Sequence, residues 1–138
     1  MPRTAILAGF EAELAIQLPR LRRALGEQRR FRVDQLAELV AEGSSTARGV
    51  ASDYVEDLDA SADSARIEVA TVIIAGARRA LDDIDAALAR IHSGEYGRCL
   101  RCGGSVGLQR LIALPAAGFC MGCQRHVEVR SPVARDPW

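Results

Sequence analysis

The chain has 138 residues, about the length of one ordinary domain. Aromatic residues make up only 4% of it, so we expect apolar surface to be buried along a seam between long helices rather than in one deep core. The formal net charge is zero, which excludes an overall field that would draw the chain to nucleic acid or anionic lipid. With no signal peptide and no apolar run near the roughly 20 residues of a membrane helix, the sequence predicts a soluble protein of the reducing cytoplasm.

The first predicted element is helical and has an apolar stripe. The stripe comprises Leu14, Leu18, Leu21 and Leu25 and is taken up again by Leu36, Leu39 and Val40. Because proline breaks a helix interior, we expect residues 1–18 to form a separate N-terminal helical arm and the main helix to begin at Pro19. Gln28, Arg32 and Gln35 fall on the apolar face, which predicts either a polar section of the seam or a shift of register.

A second long helix is predicted from the clearest periodicity in the chain, over residues 62–92. Its apolar residues recur at alternating spacings of three and four, as Ile67, Ala70, Ile74, Ala77, Leu81, Ile84, Leu88 and Ile91. This pattern indicates a coiled-coil seam. The β-branched run at 69–74 could suggest a strand, but the apolar residues of a strand would recur at every second position, and these do not. Gly94 is placed to end the helix. Gly76 costs roughly 1 kcal/mol relative to Ala, so we expect a close neighbour there.

The two helices are joined by a predicted tip loop near residues 43–61, which mixes Gly, Ser and Asp without a clear period. Two long helices with a loop of this size most simply form an antiparallel hairpin, here residues 19–93. The predicted fold class is therefore mainly α: a long antiparallel helical hairpin, or coiled coil, with a small C-terminal four-cysteine finger. The finger and a short C-terminal helix occupy residues 94–130, and the tail at 131–138 is predicted to be disordered.

Four cysteines carry the strongest chemical signal, as Cys99-x2-Cys102 and Cys120-x2-Cys123, written CLRC and CMGC in the sequence. Each pair can offer two thiolates from one tight turn, and zinc prefers four such ligands in a tetrahedron, so we predict one structural zinc ion. Disulfides would need an oxidising compartment, and a thioredoxin-like redox pair would need a βαβ setting that the sequence lacks. His126 is an alternative ligand in place of one cysteine.

The predicted zinc site is closed and negatively charged. Four cysteine ligands leave no position for water or substrate, which favours a structural site in a protein that is not an enzyme. Three arginines next to the ligands in sequence, Arg98, Arg101 and Arg125, are placed to offset the charge of the thiolates.

A resemblance to the DksA/TraR family of bacterial transcription regulators is carried by the run IHSGEYGRCLRCGGSVGLQRLIALPAAGFCMGCQRHVE. The matching residues are the Gly94-x-Tyr96-Gly97-x-Cys99 lead-in, then Arg110, Leu111, Ala113 and Pro115 between the cysteine pairs, and Gln124 after them. With less specific motifs, the resemblance extends through the hairpin and covers the chain from about residue 10 to residue 130.

The resemblance implies a regulator that binds RNA polymerase directly and does not bind DNA sequence. It implies that the hairpin enters the secondary channel of the polymerase with its tip near the active centre, while the finger and helix base grip the outer rim, where Arg110 is a candidate contact. The positions that match the family's Asp-x-x-Asp-x-Ala tip motif are Glu56, Asp59 and Ser61, with Asp57 beside them. Asp59 or Ser61 could instead cap the second helix.

Better-known members of that family respond to the alarmone ppGpp in the stringent response, through basic side chains at positions that correspond here to Gly76, Asp83 and Gln124. None of these is basic, so we expect an action that depends weakly or not at all on ppGpp. We expect a monomer. Two other functions stay open: a zinc-finger module that binds nucleic acid through its arginines, and a polymerase accessory factor whose tip acids assist transcript cleavage.

Overall fold

The computed structural model describes the backbone of residues 3–52 and 57–130, and the side chains of residues 9–43 and 62–129. Its helices are α1 (Arg3–Ser52), α2 (Asp57–Ser93), α3 (Leu108–Ala113) and α4 (Met121–Arg130). Two long packed helices followed by a cysteine cluster confirm the predicted fold class. None of the described helices is both long enough and apolar enough to cross a membrane.

The chain divides into two compact units, which we call the base unit (residues 1–26 and 83–138) and the hairpin unit (residues 27–82). In the base unit the leucine stripe of α1 packs against the seam of α2 and against the finger. The buried residues of this core are Leu14, Leu21, Leu25, Ile84, Ala87, Ile91, Tyr96, Cys99, Val106, Leu111 and Cys123. Leu25 and Leu111 are fully buried, and each such leucine contributes about 1.5–3 kcal/mol relative to an exposed side chain.

The hairpin unit is less buried than the base unit. Its seam residue Ala77 is 2% exposed, whereas Ile67 remains 46% exposed beside a groove of about 390 Å³ that Leu39 of α1 also lines. Of the three polar residues predicted on the seam, Arg32 and Gln35 are half-buried, and Arg32 Nη1 donates a hydrogen bond to Gln35 Oε1 at 3.0 Å, whereas Gln28 is exposed. The predicted seam is therefore confirmed, and within the hairpin unit Ala77 is buried much more deeply than Ile67.

Two predictions about helix boundaries are wrong. The chain does not break at Pro19, which lies inside α1. A proline in a helix interior removes one hydrogen bond and costs about 3 kcal/mol. Leu14 and Leu21 on either side of it are buried in one core, and their burial offsets that cost. The predicted loop is also too long, because α1 continues to Ser52 and α2 begins at Asp57.

Helix α2 confirms some local predictions and corrects others. The run 69–74 is helical, and Gly94 directly after the helix has a φ of 77°, as predicted for a left-handed helix end. Asp59 and Ser61 lie inside α2, so neither is its N-cap, since a cap precedes the first helical residue. Gly76 has no close neighbour, because a Cβ atom added there would meet nothing within 4 Å.

Two glycine substitutions should change stability in opposite directions. Gly26 lies inside α1 with open space around an added Cβ, so Gly26→Ala should raise the free energy of unfolding by about 0.5–1 kcal/mol. Gly97 has a φ of 89°, and an added Cβ would lie 2.7 Å from Leu14 Cδ2. Gly97→Ala should therefore lower the free energy of unfolding by about 1–3 kcal/mol. Urea unfolding followed by helical circular dichroism measures both, and effects of the same sign would contradict this packing.

Candidate metal centre

The first cysteine pair lies in a tight turn that follows α2. The backbone N–H of Cys99 donates to the carbonyl of Gly104 at 2.7 Å, and the N–H of Gly103 donates to the carbonyl of Cys99 at 3.0 Å. Gly103 has a φ of 72°, a conformation that strains residues with a side chain. The backbone hydrogen bonds of this turn therefore bring the sulfur atoms of Cys99 and Cys102 close together.

The second cysteine pair is held by the start of α4. Cys120 directly precedes this helix and Cys123 lies in its first turn, where the N–H of Gln124 donates to the carbonyl of Cys120 at 2.8 Å. The two turns are joined by a backbone hydrogen bond from the N–H of Leu100 to the carbonyl of Gly118, at 2.8 Å. Pairs that lie far apart in sequence are thus brought to a single place.

The four sulfur atoms form one cluster in which all lie within 4.8 Å of one another. The sulfurs of Cys102 and Cys120 are 3.9 Å apart, far beyond the roughly 2.05 Å of a disulfide. Four ligands at the usual zinc–sulfur distance of about 2.3 Å would stand about 3.8 Å apart. The cluster therefore suits one zinc ion held by Cys99, Cys102, Cys120 and Cys123. His126 is not a member of this ligand group.

The environment of the sulfurs favours a cation between them. Burial alone would raise the pKa of the Cys99 thiol, but backbone N–H groups around it, including that of Cys120 at 3.3 Å, together lower it to about 6. A hydrogen bond between Cys123 and the Cys120 sulfur, together with burial, raises the pKa of Cys123 to about 12. Four thiolates so close together repel one another, and a divalent ion removes this conflict.

One of the three arginines expected to offset the thiolate charge does so directly. Arg101 Nη1 lies 3.9 Å from the Cys123 sulfur. Arg98 instead lies 3.6 Å from a glutamate of α1, and Arg125 contacts a methionine sulfur one turn back in α4. The electrostatic support of the cluster thus comes from Arg101 and from backbone N–H groups.

A buried tyrosine links the two ends of the finger, and sequence reasoning did not foresee this role. The hydroxyl of Tyr96 donates a hydrogen bond to the carbonyl of Pro115 at 2.7 Å, and the side chain is only 6% exposed. Burial raises the pKa of Tyr96 to about 12, against the opposing charge of Arg90. The partner is a backbone carbonyl, which any residue carries, so the sequence held no signal for this contact.

Helix α3 and the predicted interface residues complete the site. Helix α3 was not predicted; its Arg110, a candidate contact to a polymerase, donates from Nε to the carbonyl of Phe119 at 3.0 Å. This hydrogen bond fixes the backbone at Phe119, the residue directly before the second cysteine pair. Of the predicted tip residues, Glu56 lies outside the described part of the chain. The side chains of Asp57, Asp59 and Ser61 also lie outside it, although their backbone belongs to α2.

The packed helices and the cysteine cluster define a zinc-finger protein built on a long helical hairpin. Residues 94–128 match the family model described as "Prokaryotic dksA/traR C4-type zinc finger", so the finger is of the DksA/TraR C4 type. The match covers all four clustered cysteines.

Curated relatives match the chain in part. A protein of Caulobacter vibrioides named "RNA polymerase-binding transcription factor DksA" is 41% identical over 59 residues, which are 43% of this chain and 42% of that protein. The Escherichia coli K12 protein of the same name is 32% identical over 53 residues, which are 38% of this chain and 35% of that protein. The matched segment thus spans less than half the length of either relative.

A solved structure extends the likeness to most of the fold. The transcription factor DksA2 from Pseudomonas aeruginosa superposes with a TM-score of 0.69 and 25% sequence identity. The likeness covers 83% of this chain and 85% of DksA2. The likeness in fold therefore covers more of the chain than the matches to the curated relatives do.

Cysteine and histidine substitutions should separate the ligands from their neighbour. Cys102 is exposed, so Cys102→Ser removes a ligand with little loss of packing. We expect bound zinc, measured by mass spectrometry of the purified chain, to fall well below one ion per chain, and the base unit to lose several kcal/mol of stability. His126→Ala should keep one zinc ion. Equal zinc loss in both variants would contradict the four-cysteine ligand set.

The Tyr96 hydroxyl should give stability a distinct pH dependence. Tyr96→Phe should lower the free energy of unfolding by about 1 kcal/mol, because the Pro115 carbonyl loses its partner. In the wild type the unfolded tyrosine ionises near 10 while the folded one keeps its proton to about 12, so stability should fall as pH rises through this range. Tyr96→Phe should lack that fall in urea titrations, whereas Tyr54→Phe should retain it.

Proposed function

We propose that this protein is a cytoplasmic transcription regulator that binds RNA polymerase and modulates initiation, without a reaction of its own. The observation that carries the proposal is the combination of a C4 finger of the DksA/TraR type with a fold like that of DksA2 over 83% of the chain. The relatives are named as polymerase-binding transcription factors. The closed set of cysteine ligands supports a structural role for the metal.

The shape of the helices supports binding through the secondary channel of the polymerase. Helix α2 has 37 residues and extends about 55 Å at 1.5 Å per residue, so it could place a tip deep inside an enzyme cleft. In this proposal the base unit stays at the rim, with Arg110 near the contact surface. The acids Glu56, Asp57 and Asp59, together with Ser61, then face the active centre.

We further propose that ppGpp has little influence on this action. A polyphosphate is held by charged donors, and arginine is the side chain best suited to it. Here Gly76 offers no side chain and Asp83 would repel an anion. The side-chain amide of Gln124 already donates to Glu128 at 2.9 Å. These positions together offer no positive charge.

Co-purification with core RNA polymerase and transcription from a purified promoter test the proposal. The wild-type chain should bind the polymerase and change the yield of transcript, and ppGpp should alter that change less than about twofold. Glu56→Gln/Asp59→Asn should bind equally well but lose most of the effect on transcription.

A matched control removes two exposed acids outside the tip. Glu27→Gln/Asp34→Asn neutralises the same charge and should keep both binding and effect. Failure of the wild type to bind polymerase would overturn the proposed function. Equal loss of effect in the two double variants would overturn the role of the tip.

A further inference from the structure

Arg90, in the last turn of α2, brings a charged group into the base unit without fully pairing it. The residue as a whole is half-buried, but its Nη2 atom is shielded from solvent and has no hydrogen-bond partner among the described residues. An arginine guanidinium stays protonated in proteins, so the charge cannot be removed by loss of a proton. A buried charge without a partner destabilises a fold, and the surrounding structure must therefore contain something that offsets it.

The guanidinium lies where the two cysteine-bearing turns meet. A Cβ atom added at Gly118 would lie 3.6 Å from Arg90 Nη2 and 2.9 Å from Leu100 Cδ1. Leu100 directly follows Cys99, and Gly118 lies two residues before Cys120. The N–H of Leu100 donates to the carbonyl of Gly118 at 2.8 Å, which joins the two turns beside the guanidinium. Arg90 is therefore close to both halves of the cysteine cluster.

The backbone of Arg90 is fixed to the start of the finger. Its carbonyl accepts hydrogen bonds from the N–H groups of Glu95, at 2.9 Å, and Tyr96, at 3.1 Å. Burial raises the pKa of Tyr96, and the charge of Arg90 opposes that rise, so the two side chains are within electrostatic reach of each other. The Tyr96 hydroxyl is neutral and donates its proton to a carbonyl, so it does not cancel the positive charge.

The cysteine cluster supplies negative charge when it holds zinc. Four thiolates around one Zn²⁺ carry a net charge of minus two. Arg101 contacts the cluster directly, with Nη1 3.9 Å from the Cys123 sulfur, whereas Nη2 of Arg90 makes no such bond to the described residues. Attraction between charges falls off only slowly with distance, and solvent screens it less in a buried region. Arg90 is thus placed to favour the loaded cluster without touching a sulfur.

We propose that Arg90 strengthens the binding of zinc by the four cysteines through its charge and not through a hydrogen bond. In the zinc-free chain the guanidinium is a buried cation with an unpaired nitrogen. In the loaded chain the same cation lies beside a cluster of opposite net charge, so it shifts the equilibrium towards zinc. The inference concerns the metal centre alone and does not depend on the polymerase binding proposed above.

Competition with a chromophoric zinc chelator measures the zinc dissociation constant of the full chain. Arg90→Met keeps a long side chain but removes the charge, and it should raise the constant at least about tenfold. Arg90→Gln is neutral but can still donate hydrogen bonds, and it should raise the constant by a similar factor. Arg90→Lys has no guanidinium but keeps the charge, so it should stay within about threefold of the wild type.

Arg22→Met is the matched control. Arg22 is an exposed arginine of α1 in the same base unit, so solvent screens its charge and its loss should change the constant less than about twofold. Circular dichroism checks that each variant keeps its helices.

Cobalt(II) in place of zinc gives a second readout. Its visible absorption bands report the ligand set and its geometry, so they should keep their positions in Arg90→Met although the affinity falls. A role of Arg90 in shaping the cysteine turns would instead move the bands.

Four results would overturn the proposal. They are an Arg90→Met variant that binds zinc as tightly as the wild type, an Arg90→Lys variant as weak as Arg90→Met, an equal loss of affinity in Arg22→Met, and displaced cobalt bands. The second of these would assign the effect to the shape of the guanidinium and not to its charge. Should Arg90→Met fail to fold, the comparison of Arg90→Gln with Arg90→Lys decides the same question, because equal affinities in those two variants would also exclude a role of the charge.

Discussion

Convergence of four sulfur atoms is the constraint on which the base unit depends. The sulfurs come from two turns, and the chain between them must return to the same point, helped by the Leu100–Gly118 backbone hydrogen bond. Cys99 and Cys123 belong to the same buried cluster as Leu14 of α1 and Ile91 of α2. The metal centre is therefore part of the hydrophobic core, and it ties the finger to the ends of both long helices.

The two units differ in how many of their apolar side chains are buried. The base unit holds the cysteine cluster, the Tyr96 hydrogen bond and most of the buried apolar side chains. The hairpin unit keeps branched apolar residues such as Val69 and Val72 exposed. Apolar surface grouped on one side of a helix is characteristic of a contact surface. The base unit thus holds most of the buried apolar surface, whereas the hairpin unit leaves part of its apolar surface exposed.

Prediction from the sequence succeeded where neighbouring residues decide the outcome. The Cys-x2-Cys pairs predicted the cluster, the three-and-four spacing predicted the seam, and Gly94 ends α2 with a positive φ. Prediction failed where distant atoms decide. Pro19 suggested a break, but burial of the leucines around it holds α1 together. Gly76 suggested a close neighbour, yet the space above it is open.

The sequence by itself determined the two cysteine pairs and the helical periods, because both follow from spacing along the chain and require no knowledge of what lies opposite. Only the tertiary structure decided the partners of Tyr96, Arg101 and Arg110. Those partners are backbone carbonyls and a sulfur brought close by folding, and a carbonyl is the same at every residue. The structure also decided how deeply each residue of the predicted α2 seam is buried, since Ala77 is 2% exposed and Ile67 is 46% exposed.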